Sequence, residues 1–337
     1  MNSFPVSAPA ASVPEMAAAI RAGNRRALAR AITLAESSRA DHRAQAQALL
    51  ETLLPATGHA IRIGISGVPG VGKSTFIEAF GLHAINTGHQ AVAVLAVDPS
   101  SQRTGGSILG DKTRMAELGR NPGAFIRPSP AGATLGGVAR RTREAMLLCE
   151  AAGFGVIIIE TVGVGQSETA VADMADLFLL LLPPGGGDEL QGIKKGIVEL
   201  ADLIVVNKAD GDLIPAAQRA LAEYRHALSL LRSPSRGWQV PVLSCSALQQ
   251  QGIAEIWETI GRYRETQSQN GAFTERRQEQ ARAWLWSEIR ECLVERFRAH
   301  PAVQAELAEL ENAVTAGRSI PTLAAGRLLN LFAASRS

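Results

Sequence analysis

Short apolar runs alternate with longer amphipathic stretches between Ile61 and Tyr263. Most runs are apolar at successive positions, which is typical of strands buried on both faces of a sheet flanked by helices. The runs occupy Ile61–Ile65, Ala91–Val97, Val156–Ile159, Leu177–Leu182, Leu203–Val206 and Val240–Leu243. Strands that alternate with helices in this way predict an α/β fold with a doubly wound, mostly parallel sheet.

Helical segments are predicted on both sides of this domain. Residues 15–54 are rich in Ala, Leu and Arg and predict two helices joined near Ser37 and Ser38. Beyond Gln267–Ala272, a polar segment predicted as a linker, apolar residues recur every four positions at Leu285, Ile289, Leu293 and Phe297. This stripe indicates a helix that packs on its own domain or a dimerisation arm, and both alternatives stay open. The predicted limits are a flexible tail at 1–14, an N-terminal helical region at 15–58, the α/β domain at 59–266 and a C-terminal helical extension at 273–337.

Charge and cysteine content narrow the classes of partner and compartment. The 34 basic and 32 acidic residues leave a net charge of +2, so neither nucleic acid nor a membrane is expected as the main partner. Cys149, Cys245 and Cys292 have no paired spacing, which indicates reduced thiols. The first 14 residues carry no basic side chain, whereas secretory and mitochondrial signals require basic residues. We therefore expect a cytoplasmic protein.

A phosphate-binding loop is predicted directly after the first strand. Gly67 to Ser74 match the pattern G-x-x-x-x-G-K-[ST], and the next residues predict a helix to Ile85. Glycines let successive amides point at phosphate oxygens, and the helix N-terminus adds partial positive charge. Lys73 is expected against the β- and γ-phosphates and Ser74 on Mg²⁺. The expected nucleotide contacts are Gly67, Val68, Pro69, Gly70, Val71, Gly72, Lys73, Ser74 and Thr75.

A second motif predicts which base is bound. Asn207-Lys208-Ala209-Asp210 follows the run Leu203–Val206. The Asp210 carboxylate can accept hydrogen bonds from N1–H and the N2 amino group of guanine, and adenine has neither donor there. Ser246 and Ala247, after the next run, fit a loop whose backbone amide meets the guanine O6. The sequence therefore predicts GTP and GDP, rather than ATP, as ligands.

Two acidic residues end predicted strands near this site. Asp98 follows Ala91–Val97, and Glu160 follows the run that ends at Ile159. Ligands in open α/β folds bind at the carboxyl ends of the strands, so both are candidates for holding Mg²⁺ directly or through water. The alternative for either acid is a helix N-cap.

Four long segments resemble the MeaB/ArgK-type G proteins, the GTPase chaperones of adenosylcobalamin-dependent acyl-CoA mutases. They are Val97–Ser101, Thr104–Met115, Glu160–Glu168 and Gly187–Gly196. The resemblance covers roughly residues 60 to 265 and is weaker in the terminal helical regions. It implies a P-loop GTPase domain, a homodimer built through the C-terminal extension, GTP-dependent gating of cofactor loading, and protection of the mutase. Methylmalonyl-CoA mutase is the default client, ethylmalonyl-, isobutyryl- and hydroxyisobutyryl-CoA mutases are compatible, and a cobalamin adenosyltransferase is a further candidate partner.

The resemblance also implies roles for individual residues. Asp98, Asp111 and Glu160 match the Mg²⁺-associated acids of the family. Three switch segments follow by motif position, with the residues Asp111 and Lys112 in the first, Gly163 and Gln166 in the second, and Asp188, Glu189, Gln191 and Lys194 in the third. Gly186 stands where the family most often has Ala, and this third consecutive glycine is expected to loosen the loop of the third switch.

Hydrolysis is expected to be slow without a partner. Lys73, Glu160 and Gln166 are the catalytic candidates, with Gln166 expected to orient the attacking water. No arginine is clearly placed to stabilise the transferring phosphoryl group, although Arg103 and Arg114 are candidates with surface ion pairs as the alternative, so the partner is expected to stimulate the rate. A metal-insertion GTPase is disfavoured because the six histidines are scattered and no cysteine pair exists. A kinase of a small-molecule transport system is disfavoured by the guanine motif.

Overall fold

The structure is a computed structural model that describes residues 12–97, 115–128, 135–161, 167–185, 195–229 and 233–334. Some residues with predicted roles lie outside these ranges, namely Asp98, Asp111, Lys112, Gly163, Gln166, Asp188, Glu189, Gln191 and Lys194. The chain divides into two compact units, Met1–Gln280 and Ala281–Ser337. No helix within the described ranges combines the length and the apolar character needed to cross a membrane.

The first unit is built on a sheet of seven parallel strands in the order β3-β2-β4-β1-β5-β6-β7. The strands are β1 Ile61–Gly67, β2 Val92–Val97, β3 Ala124–Arg127, β4 Val156–Thr161, β5 Leu177–Leu182, β6 Leu203–Val206 and β7 Val242–Ser244. Strand β1 lies at the centre, between β4 and β5. The loop that follows β1 therefore leaves the middle of the sheet, and the predicted parallel α/β fold is confirmed.

Helices cover both faces of the sheet. They are α4 Lys73–Asn86, α5 Ala116–Arg120, α6 Leu135–Ala151, α7 Ser167–Ala172, α8 Lys195–Leu200, α9 Ile214–Ser229 and α10 Ile253–Gln269. Successive strand residues point to opposite faces, so Ile157 and Ile159 join one apolar cluster while Val156 and Ile158 join the other. This two-sided burial explains why the strands are continuous apolar runs in the sequence.

Three N-terminal helices belong to one of these two clusters, whereas the sequence predicts two. They are α1 Val13–Arg21, α2 Arg25–Glu36 and α3 Ala40–Leu53. The additional break falls at Gly23, whose φ of 75° is left-handed, and at Asn24. The Asn24 side chain accepts hydrogen bonds from the amides of Arg26 and Ala27 and so begins α2.

The C-terminal part of the chain is helical, as predicted. Its helices are α11 Ala272–Ala299, α12 Pro301–Thr315 and α13 Pro321–Ala334. The predicted linker is shorter than expected, because α10 continues to Gln269 and only Asn270 and Gly271 separate it from α11. In the second unit, the Phe297 ring lies 5.6 Å from that of Phe332, between ring centroids.

The first turns of α11 are fixed to the amino ends of β5 and β6 by buried ion pairs. Arg277 donates to both carboxylate oxygens of Asp176 at 2.7 Å, and Arg276 donates to Asp202 at 3.0 Å. Both aspartates are almost fully buried and precede their strands directly. Because the carboxyl ends of the parallel strands lie at the opposite edge, these contacts leave that edge open for a ligand.

Candidate nucleotide-binding site

The predicted phosphate loop has the backbone geometry that close contact with phosphate requires. Gly70 and Gly72 adopt left-handed φ angles of 81° and 91°. A Cβ on Gly67 would lie 2.7 Å from the Leu181 carbonyl oxygen, and one on Gly72 would lie 2.8 Å from Asn207 Nδ2. Helix α4 begins at Lys73 with no side-chain cap. Its first-turn amides and the positive end of the helix dipole therefore point into the loop, where they suit an anion.

Lys73 lies across the ends of the central strands. Its ammonium group donates to the backbone carbonyl of Thr161, the last residue of β4, and lies 3.5 Å from the Thr161 hydroxyl. That buried hydroxyl lies 3.0 Å from the Ser66 hydroxyl on β1. The positive charge is thus held beside the phosphate loop by Thr161, for which the sequence analysis predicted no role.

Asn207 joins the phosphate loop to the predicted base-binding loops. The side chain is 1% exposed and donates from Nδ2 to the Val71 carbonyl at 2.9 Å. Its Oδ1 accepts from the Ala247 amide at 3.1 Å and from the Cys245 thiol at 3.4 Å. Burial raises the pKa of the Cys245 thiol to about 12, so this thiol stays protonated and able to donate.

Asp210 and Ser246 are also brought together. The Ser246 hydroxyl donates to Asp210 Oδ2 and accepts from the Gln249 amide at 3.1 Å. A pair of backbone hydrogen bonds between Ser246 and Gln251, at 3.1 and 3.0 Å, closes this loop. The carboxylate predicted to bind guanine is therefore oriented by the neighbouring predicted loop.

Lys208 adopts an uncommon backbone conformation beside Asn207. Its φ of 60° is left-handed, although the residue is not glycine, and its side chain is exposed. Such strain concentrates at binding and catalytic sites, where the surrounding structure holds the backbone in place. The role expected of this stem, to cover one face of the guanine base, stays a prediction.

Ser74 and Glu160 are the predicted metal ligands that the structure describes. Ser74 lies in the first turn of α4, and Glu160 is 3% exposed near the end of β4. The pairing of β4 with both neighbours places Glu160 beside Ile65 of β1 and Ala96 of β2. A hydroxyl and a carboxylate supply the hard oxygen donors that Mg²⁺ prefers, so the residues present fit that ion.

The site contains residues that the sequence analysis predicted and residues that it did not. The predicted ones converge at the carboxyl edge of the sheet around β1 and β6, and they are the phosphate loop, Lys73, Asn207, Asp210 and the Ser246–Ala247 loop. Thr161, Ser66 and Cys245 complete the arrangement and were not predicted. A hydroxyl residue directly after Glu160 was the one sequence signal for Thr161.

The chain resembles known proteins along most of its length. The family model described as "Methylmalonyl Co-A mutase-associated GTPase MeaB" matches residues 28–302. A putative GTPase of Caulobacter vibrioides is 58% identical over 325 residues, which cover 96% of this chain and 99% of that protein. The mitochondrial methylmalonic aciduria type A homolog of Mus musculus is 50% identical over 320 residues, covering 92% of this chain and 77% of that protein. A crystal structure of LAO/AO transport system kinase has a TM-score of 0.74 and 39% identity, covering 98% of this chain and 99% of that chain.

Proposed function

The chain belongs to the family of methylmalonyl-CoA mutase-associated GTPases, and we propose that it is the chaperone of an adenosylcobalamin-dependent acyl-CoA mutase. As a member of this family it is a GTPase that binds GTP and GDP. We propose further that it gates the loading of adenosylcobalamin and protects the loaded mutase, and that its slow hydrolysis is stimulated by this partner. A cytoplasmic location and a second contact with a cobalamin adenosyltransferase belong to the same proposal.

One observation carries the nucleotide part of the proposal, namely the contacts of Asn207 with both recognition loops. Through Val71 and Ala247 this side chain fixes the distance between the phosphate loop and the loop expected at guanine O6. Asp210, held by Ser246, is then available to accept from the two guanine donors. A guanine nucleotide would therefore meet a preformed site at both ends, which supports GTP over ATP.

The residues of the chain have separate roles in the proposed hydrolysis. Lys73 binds the β- and γ-phosphates, Ser74 and Glu160 hold the metal together with Asp98 and Asp111, and Gln166 orients the attacking water. When bound, Mg²⁺ offsets the negative charge that develops on the phosphate oxygens. The absence of a clearly placed internal arginine in the sequence supports a slow intrinsic rate.

The proposed switches follow strand ends that meet at the site. The segment with Asp111 and Lys112 follows β2, that with Gly163 and Gln166 follows β4, and that with Asp188, Glu189, Gln191 and Lys194 follows β5. Because the sheet is parallel, β2, β4 and β5 all end at its carboxyl edge, where the phosphate loop also begins. This topology supports the proposed response of the three segments to the γ-phosphate.

The proposed homodimer is supported by the surface of the second unit. Leu285, Trp286, Leu293 and Val294 of α11 are 48 to 59% exposed. Positions 286 and 293 are seven residues apart and positions 285 and 289 are four apart, which are both helical spacings. Together they form an apolar stripe that is exposed to water in a monomer. A second copy that covers this stripe would stabilise the arm.

The test is GTP turnover by the purified protein, with and without a panel of adenosylcobalamin-dependent acyl-CoA mutases. Strong stimulation by one mutase, absent with ATP and absent with Lys73→Ala, is expected and would identify the client. Turnover that no mutase alters would contradict the chaperone role while leaving the GTPase activity intact. Transfer of the γ-phosphate to an acceptor other than water would favour a transport-system kinase instead.

A further inference from the structure

Two buried hydroxyl groups lie beside the ammonium group of Lys73. The hydroxyl oxygens of Ser66 and Thr161 are 3.0 Å apart, and both residues are almost fully buried. Ile65 of β1 pairs with Glu160 of β4, so Ser66 and Thr161 occupy the next position of the same register and point to the same face of the sheet. Each hydroxyl thus provides the hydrogen-bonding partner that a buried polar group needs.

Lys73 determines the direction of this hydrogen bond. Its Nζ atom donates to the Thr161 carbonyl and lies 3.5 Å from the Thr161 hydroxyl oxygen. An ammonium group has donors and no acceptor, so a lone pair of the threonine oxygen faces it. The hydroxyl proton of Thr161 is therefore directed at Ser66, and the ammonium group meets two oxygen atoms of one residue.

This arrangement prepares Lys73 for a phosphate ligand. A lysine ammonium group stands on a flexible four-carbon stem, and fixing that stem when a ligand binds reduces the affinity. Contact with the two Thr161 oxygens restricts the stem before the nucleotide arrives. Because the ammonium group has three N–H donors, it can keep its contact with the carbonyl and still donate to phosphate oxygens.

We propose that Thr161 is a positioning residue whose hydroxyl, oriented by Ser66, holds Lys73 in place for the β-phosphate. The inference rests on the proposed role of Lys73 in binding the phosphates. Thr161 acts through Lys73 and not on the nucleotide itself. The contribution of its hydroxyl therefore depends on the presence of a β-phosphate and is independent of the base.

The experiment compares the dissociation constants of GDP and GMP, both measured by displacement of a fluorescent GDP. Thr161→Val removes the hydroxyl and keeps the shape of the side chain. The dissociation constant of GDP is expected to rise about fivefold, which corresponds to one hydrogen bond of ordinary strength. That of GMP, which lacks the β-phosphate, is expected to stay within about twofold of the wild type. Thr161→Ser keeps the hydroxyl and is expected to bind GDP within about twofold of the wild type.

A double-mutant cycle tests whether the effect passes through Lys73. In the Lys73→Ala background, adding Thr161→Val is expected to change the dissociation constant of GDP by less than about twofold, because no ammonium group remains to be held. A fivefold loss that persists without Lys73 would overturn the proposal, as would equal losses of GDP and GMP affinity in Thr161→Val. Wild-type affinity of Lys73→Ala for GDP would instead overturn the phosphate role on which the proposal rests.

Thr259→Val is the matched control, because Thr259 is also a buried threonine, whose hydroxyl accepts from Arg262 at 2.7 Å. Its helix reaches the amino edge of the sheet four residues later, where Tyr263 donates to the Asp176 carbonyl. Thr259→Val is expected to lower the melting temperature about as much as Thr161→Val and to leave GDP affinity unchanged. An equal loss of GDP affinity in both variants would contradict a specific role of Thr161.

A second variant keeps the proposal testable if Thr161→Val does not fold. Ser66→Ala removes the partner that orients the Thr161 hydroxyl and leaves that hydroxyl in place. It is expected to weaken GDP and not GMP, and only while Lys73 is present. Unchanged GDP affinity in Ser66→Ala would then overturn the proposal.

Discussion

Replacing Asn207 with alanine is the most direct perturbation of the candidate site. The change removes a donor to the Val71 carbonyl and an acceptor for the Ala247 amide. Val71 and Ala247 are 1% and 4% exposed, so water has little access to replace either partner. Asn207→Ala therefore leaves two buried backbone groups without their hydrogen bonds.

The expected loss of stability follows from these two groups. A buried donor or acceptor left unsatisfied costs about 1–3 kcal/mol, which gives about 2–4 kcal/mol for Asn207→Ala if the loops relax in part. The loops would also lose the spacing that suits a guanine nucleotide. We expect the affinity for GDP to fall at least about tenfold, since ~1.4 kcal/mol of lost preorganisation is sufficient.

The assay is urea denaturation of the nucleotide-free protein, combined with calorimetric titration of GDP. Gln269→Ala is the control, because Gln269 donates to the Glu265 carboxylate at 3.2 Å from an exposed position. It is expected to change the free energy of unfolding by less than about 0.5 kcal/mol. If Asn207→Ala weakened GDP binding while unfolding like the wild type, Asn207 would act on the nucleotide alone. The reasoning about cross-linked loops would then be wrong.

Three further predictions concern the anchor of α11, alkaline pH and the base. Arg277→Met leaves the buried carboxylate of Asp176 unpaired and is expected to cost about 3–5 kcal/mol in urea denaturation. Loss of the exposed pair Arg39–Asp41 is expected to leave the free energy of unfolding nearly unchanged, and equal losses for the two pairs would refute the argument. The raised pKa of Cys245 means that its thiol favours the native state fully below pH 9.0 and that this contribution falls as pH rises toward 12. Because of this thiol, the free energy of unfolding is expected to be about 1 kcal/mol lower at pH 10 than at pH 8. The variant Cys245→Ala should not show this part of the decrease. Asp210→Asn is expected to weaken GTP and favour xanthosine triphosphate, whose C2 carbonyl needs a donor; a competition assay that shows unchanged preference would contradict the role of Asp210.

The buried strands could be predicted from the sequence because their signal is local. Leu177–Leu182 and Leu203–Val206 have the predicted bounds in the structure, and β1 extends two residues beyond its prediction. Strand β3 was missed. It has only four residues, lies at the edge of the sheet and is half-buried beyond Ala124, so no continuous apolar run marks it. The family resemblance, which also rested on contiguous segments, is confirmed.

Contacts between distant residues could not be predicted in the same way. Lys73 donates to the carbonyl of Thr161, which lies 88 positions later in the chain. The Glu78 carboxylate accepts from the amide of Glu117, 39 positions later, and so caps α5. Neither motif nor periodicity indicates which strand end holds a lysine or which helix receives a cap. The same reason explains why Asp176 and Asp202, ordinary acids in the sequence, are the partners of Arg277 and Arg276. Sequence patterns identify buried faces, whereas pairing depends on the packing of the whole fold.

Different contacts are made at the carboxyl and amino edges of the sheet. At the carboxyl edge, Asn207 holds the phosphate loop and the Ser246–Ala247 loop in one arrangement, so we expect that neither loop has to rearrange when a guanine nucleotide binds. At the amino edge, Arg276 and Arg277 fix the first turns of α11. A strand of six residues, such as β5, separates these edges by about 20 Å. Gln280 and Arg277 bind the segment directly before β5, at the Ala175 carbonyl and the Asp176 carboxylate, so any influence of the γ-phosphate on α11 must cross the full length of the sheet from one edge to the other.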